Sequence, residues 1–148
     1  MIDSMSAADV ANAERFERLG TIADAVTAGH TRDEFARWLI AYFDIDPNRT
    51  SDLVLAINEA LANSAEHAYP SAGLPGTTDV HATYDPIESV LTVNVSDQGE
   101  WRMSNPMAAS RFRGRGIPLM TALSDRAAIE TSADGTLVSL AWTGVHRR

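Results

Sequence analysis

Glu59 and Asn63 stand four residues apart in the segment Glu59-Ala-Leu-Ala-Asn63-Ser-Ala-Glu-His67-Ala-Tyr69, a spacing that stacks them along one side of a helix. A carboxylate and a carboxamide one turn apart offer a proton acceptor and a hard oxygen ligand, the groups that Mg²⁺-dependent phosphoryl transfer requires. The same face is also what a solvated helix surface looks like. A second segment, Val93-Asn-Val-Ser-Asp97-Gln-Gly99-Glu-Trp101, reads as a buried strand running out into Asp-x-Gly. An aspartate at a strand end can accept a hydrogen bond from an exocyclic amine, and Gly99 lets a flat ring approach the backbone; a strand-terminating turn would use the same residues. In the third, Arg111-Phe-Arg113-Gly114-Arg115-Gly116-Ile117-Pro118, a Gly-x-Gly precedes a helix that opens favourably at Pro118. Backbone N–H groups at such a start can hold a phosphate, and the arginines add positive charge. The spacing is neither that of a P-loop nor that of a dinucleotide fingerprint.

These segments need elements to position them. Residues 1–13 are small and polar and read as a flexible leader, with 14–148 forming one domain. Glu14 to Ile22 alternates enough for a short strand. Phe35, Leu39, Ile40 and Phe43 repeat at helical spacing, with Thr31 as the expected N-cap and Glu34 completing a capping box. Ser51 is expected to cap a second helix reaching Ala68. Its core side would carry Val54, Ile57, Leu61 and Ala68, with Glu59, Asn63 and Glu66 roughly opposite and His67 at their edge. Val80, Ala82 and Tyr84 alternate into a strand turned by Asp85-Pro86, and Leu91, Val93 and Val95 give its partner a buried face. A short helix over 117–123 precedes a second hairpin, Ala127–Thr131 with Thr136–Trp142. Helices followed by hairpins predict an α+β fold, a two-layer sandwich in which one mostly antiparallel sheet is covered by helices on one face.

Composition narrows the field. The 148 residues, 45% hydrophobic and 22% charged, suit one domain. No stretch approaches the roughly 18 apolar residues of a membrane helix, and the start lacks a basic segment followed by an apolar run, so a cytoplasmic protein without membrane contact is expected. The absence of cysteine excludes disulfides and thiolate chemistry. A net charge of −8 and a pI near 4.8 oppose direct nucleic-acid binding. His30, His67, His81 and His146 form no ligand motif, and the three tryptophans read as packing or partner surface.

Taken in order, the three segments resemble the GHKL (Bergerat) superfamily of ATP-binding domains, and within it the anti-sigma factor serine/threonine kinases, over Glu14 to Trp142. Glu-x-x-x-Asn-x-x-x-His-x-Tyr looks like that branch's N box, Asp97-Gln-Gly99 like its G1 box, Gly114-Arg115-Gly116-Ile117 like its G2 box, and Gly135-Thr136 like its last nucleotide motif. The resemblance implies an ATP and Mg²⁺ site in which Glu59 is the catalytic base and Asn63 the metal ligand. Asp97 would read the adenine amine beside Thr136, with His67 and Gly99 also in the nucleotide site. Gly114, Arg115, Gly116 and Ile117 would cradle phosphates, and Arg111 and Arg113 would belong to the lid.

The resemblance further implies a protein kinase that phosphorylates a STAS-type anti-sigma factor antagonist and sequesters a sigma factor, with a homodimer formed through the uncovered sheet face. Ala68 and Trp101 replace glycines common in the family, and the lid between Gly99 and Gly114 is short, which implies slow transfer. A non-catalytic, ATP-gated protein-binding module of the same fold is the alternative. A sensor histidine kinase ranks behind both, because no dimerisation helix with a phosphoacceptor histidine is visible upstream.

Overall fold

The computed structural model describes residues 14–67, with backbone only at 66 and 67, and residues 76–97, 118–132 and 135–148. Strand β1 (Arg15–Ile22) leads into helix α1 (Ala25–Tyr42), the two-residue β2 (Phe43–Asp44) and helix α2 (Pro47–His67). Then come β3 (Thr77–Asp85), β4 (Val90–Asp97), helical residues 118–123, β5 (Arg126–Ser132), β6 (Gly135–Trp142) and the short β7 (His146–Arg147). The five long strands form a sheet in the order β1-β3-β4-β6-β5, antiparallel at every pairing. Both helices cover one face, so the expected two-layer α+β sandwich is what is observed.

Strand alternation divides the sheet cleanly. Phe16, Val80, Ala82, Tyr84, Leu91, Val93, Val95, Val138, Leu140 and Trp142 point to the helices and are buried. The other face is polar, with His81 Nε2 2.6 Å from Glu17 and Ser139 donating to Asn94 at 2.7 Å. An aromatic run, Phe16, Phe35, Trp38, Phe43 and Tyr84, continues the core beneath α1 with successive ring centroids 4.9–5.8 Å apart, within the range where edge and offset contacts are favourable.

Both expected helix starts need correction. Thr31 is not a cap but a buried residue inside α1. The helix opens at Asp24, an extended residue whose carboxylate accepts from Thr27 N at 2.8 Å, and Glu34, expected to close a capping box, instead pairs with Arg18 on β1 at 3.0 Å. Likewise, Asp46 rather than Ser51 caps α2. Its side chain accepts from the amides of Asn48 (2.8 Å) and Arg49 (3.1 Å), and Pro47 takes the first helical position, where a missing N–H costs nothing. The buried face of α2 is Leu53, Ala56, Ile57, Ala60, Leu61 and Ser64. Asn63, expected opposite the core, is only 7% exposed, because it projects from the flank of that face beside Ala56 and Ala60.

Candidate functional site

Buried polar residues are costly unless satisfied, so where they gather is informative. Six are found among the described residues: Thr31, Asn63, Ser64, Thr78, Asp97 and Thr136. All except Thr31 converge at one end of the sandwich. Pairing sets Thr78 on β3 against Asp97 at the end of β4, and Asp97 against Thr136 at the start of β6. This makes a polar row on the helix-covered face, two residues beyond the apolar row Val80, Val95 and Val138. Directly above it runs α2, whose Ser64 hydroxyl lies 2.7 Å from that of Thr78. Asn63 is the preceding residue, and Glu59, half-buried, stands one turn earlier.

Local structure at β1 supports the same end of the sheet. The register of β1 on β3 shifts between Arg18 and Thr21, where Gly20 adopts φ 65°, a conformation that favours glycine. The Gly20 amide donates to Asp79 at 2.6 Å, and the Thr21 hydroxyl donates to the Thr78 carbonyl at 2.7 Å, fixing β3 where the polar row begins.

Two atoms of the cluster, Asn63 Nδ2 and Thr136 Oγ1, are buried with no hydrogen-bond partner among the described residues. Buried groups are rarely left so, and such an orphan calls for a reason beyond packing, a functional role or a bound water or ion among them. A carboxamide can turn either end to a ligand, because its oxygen and nitrogen occupy nearly the same space. The orphaned atoms, the Asp97 carboxylate and the Ser64–Thr78 hydroxyl pair thus offer donors and acceptors to a polar, flat molecule entering over the strand ends. That is the donor set a nucleobase needs, and the residues present fit ATP.

The structure therefore brings together Glu59, Asn63, Asp97 and Thr136 from three separate stretches of sequence. Of His67, only the backbone at the end of α2 is described. Gly99, Arg111, Arg113, Gly114, Arg115, Gly116 and Ile117 lie outside the described residues. Ser64 and Thr78 were missed by sequence reading. The signal was present: each is a polar residue in a core register, Ser64 seven positions after Ile57 and Thr78 two before Val80.

A family model described as the histidine kinase-like ATPase domain matches residues 22–142, from the end of β1 through the whole of β6. The chain belongs to the histidine kinase-like ATPases. All four described candidate residues fall inside the matched span, and the GHKL resemblance read from the motifs holds. A solved structure of the RsbU and RsbW domains of Rv1364c from Mycobacterium tuberculosis is similar in fold, with a TM-score of 0.68 and 24% identity. The match covers 90% of this chain and 33% of that one, so this ATPase domain spans about one third of that chain's length. Among the described residues no helix is long and apolar enough to cross a membrane.

Proposed function

We propose that this ATPase domain is an anti-sigma factor with serine/threonine kinase activity, transferring the γ-phosphate of ATP to a STAS-type antagonist and holding a sigma factor in a separate complex. The observation that carries the nucleotide part of this reading is the buried row Thr78, Asp97 and Thr136 under Ser64 and Asn63. The protein part is supported by the N-box pattern, whose His67 and Tyr69 follow the anti-sigma kinase branch, and by likeness to a chain that includes an RsbW domain.

Asp97 accepts a hydrogen bond from the adenine amine, and Thr136 Oγ1 completes the contact across the strand pair. Asn63 would hold Mg²⁺ through its carboxamide oxygen. Glu59, one turn away, accepts the proton of the attacking hydroxyl as the phosphoryl group moves. Bound Mg²⁺ supplies neutralisation of the charge that builds on the phosphate oxygens. No three acidic, histidine or cysteine residues gather to hold a metal among the described residues; a Mg²⁺ at Asn63 would complete its shell from phosphate and water, as this ion commonly does. The domain acts in the cytoplasm.

Calorimetry with Mg-ATP tests the nucleotide site: binding by the parent that Asn63→Ala and Asp97→Ala both weaken is the expected result. A phosphotransfer assay with the antagonist tests the base, since Glu59→Gln should keep ATP binding and lose transfer; transfer at the parent rate would remove Glu59 from that role. The short segment between Gly99 and Gly114 favours a second reading, an ATP-gated binding module without transfer. It is distinguished by ATP-dependent complex formation that yields no phosphorylated product.

A further inference from the structure

Helix α2 is tied to the rest of the molecule by polar contacts near both of its ends. At its start Arg49 bonds the Asp125 carboxylate at 2.9 Å and the Thr143 carbonyl at 2.6 Å. Towards its end the Ser64 hydroxyl lies 2.7 Å from that of Thr78 on β3, and both residues are only 3% exposed. Between these ties the face turned to the core carries Leu53, Ala56, Ile57, Ala60 and Leu61. Apolar contacts of that kind are non-directional, and Ala60 and Ala56, the residues one and two turns before Ser64, have only a methyl group to resist rotation. A hydrogen bond fixes direction as well as distance.

Thr78 is a firm anchor. It stands opposite Asp97 on β4 and opposite Thr21 on β1. Its carbonyl accepts from the Thr21 hydroxyl at 2.7 Å, and the next residue, Asp79, accepts from the Gly20 amide at 2.6 Å. Ser64 follows Asn63 directly, and Glu59 stands one turn before Asn63 on the same helix. The hydroxyl pair therefore ties the helix that carries Asn63 and Glu59 to the strand that flanks Asp97. Asn63 sits about 100° round the helix from Ser64, so a small rotation of α2 would swing its carboxamide relative to the strand ends. Asp97 and Thr136, both on the sheet, would stay where they are.

We propose that Ser64 and Thr78 are positioning residues, whose hydroxyl bond sets the orientation of α2 and so holds Asn63 where a nucleotide seated on Asp97 can share a Mg²⁺ with it. This role rests on the nucleotide reading above and links its two halves, Asp97 and Thr136 on the sheet for the base and Asn63 on the helix for the metal. A bond kept only for stability has a different signature. Removing one partner leaves the other hydroxyl buried and unpaired, whereas replacing both by apolar groups of similar shape can be nearly neutral.

Titration calorimetry of the full chain with ATP, once with Mg²⁺ and once with EDTA, gives the gain in affinity that the metal brings. Ser64→Ala and Thr78→Val, singly and together, should cut that gain by about 2- to 12-fold, the equivalent of one neutral hydrogen bond, and leave the affinity in EDTA close to the parent's. In scanning calorimetry the single variants should melt below the parent and the double variant should recover, while its metal-dependent gain stays low. Thr78→Ser, which keeps the hydroxyl, should keep the gain. Adding Asn63→Ala to Thr78→Val should cost little further gain, because both changes act on one group. A parental gain in the double variant, or a full additional loss on adding Asn63→Ala, would overturn the proposal. So would equal losses with Mg²⁺ and with EDTA, which would assign the hydroxyls to direct contact with the base. A parent that binds ATP no better with Mg²⁺ than without would remove the metal site and the positioning role with it; a gain equal in parent and variants would remove the positioning role alone.

Discussion

Replacing Thr136 by valine separates a binding role from a structural one by the sign of two measurements. Valine has nearly the shape of threonine and suits a strand, so the change removes little but the hydroxyl. That hydroxyl is buried, on a residue 4% exposed, and has no hydrogen-bond partner among the described residues. An unsatisfied buried polar group costs ~1–3 kcal/mol, so its removal should stabilise the nucleotide-free protein by about 1–2 kcal/mol. For a chain of this length that corresponds to a rise in Tm of roughly 2–8 °C. ATP binding should move the other way: losing one neutral hydrogen bond of ~0.5–1.5 kcal/mol weakens the affinity by about 2- to 12-fold. Differential scanning calorimetry of the free protein and titration calorimetry with Mg-ATP provide the two numbers. A variant that melts lower and binds ATP as tightly as the parent would refute the reasoning, because it would show that Thr136 Oγ1 supports the fold rather than the ligand.

Other expectations follow from the same geometry. Asp97→Asn replaces the acceptor of a charge-assisted bond at a position 8% exposed and should weaken ATP binding by ~1.5–3 kcal/mol, measured by titration calorimetry. Leu53→Ala, at a fully buried position of α2, should cost ~2–5 kcal/mol in urea unfolding. Asp125 accepts from the Thr143 amide (2.7 Å) and hydroxyl (3.1 Å) and from Arg49 (2.9 Å), and the Thr143 amide above all lowers its pKa below 3.8. A depressed folded pKa gives stability that is fully present above the unfolded value and lost as pH falls through the folded one. Asp125→Asn should therefore cost about 1 kcal/mol at pH 7, held down by solvent screening at a carboxylate 43% exposed. The gap between parent and variant should close below pH 3.8; a gap unchanged in acid would show that the charge is irrelevant.

The sequence was most legible where one periodicity dominates. Leu91, Val93 and Val95 alternate without interruption, and the strand and its buried face are as expected. The helix starts were misread because Thr31 and Ser51 satisfy a local rule for capping that Asp24 and Asp46 satisfy better, each with its side chain on a backbone amide. Asn63 was placed opposite the core because an ideal helical wheel weighs only apolar residues, and a buried polar residue looks the same on it as one facing solvent. Glu59, Asn63, Asp97 and Thr136 were singled out through their motifs, and the fold brings them to one end of the sandwich. Ser64 and Thr78 were not, since a hydroxyl pair linking a helix to a strand 14 residues on has no signature within either segment. The β2–β7 pairing was also invisible, because it joins two residues at each of two distant points in the chain.

That small pairing bears on how the domain should be bounded. The family match stops at residue 142, yet the six residues beyond it are woven into the body of the protein. Val145 is 1% exposed, takes the Tyr84 hydroxyl on its carbonyl at 2.7 Å and donates its amide to Ser89, while Arg49 bonds the carbonyls of Thr143 and Gly144. A recombinant domain trimmed at Trp142 would forfeit this strap and expose Tyr84 and Phe43. A fluorescent or affinity module appended after Arg148 would instead leave the molecule beside Tyr42, about 20 Å along β3 from Thr78 at ~3.3 Å per residue, and so report on the protein without crowding the nucleotide end.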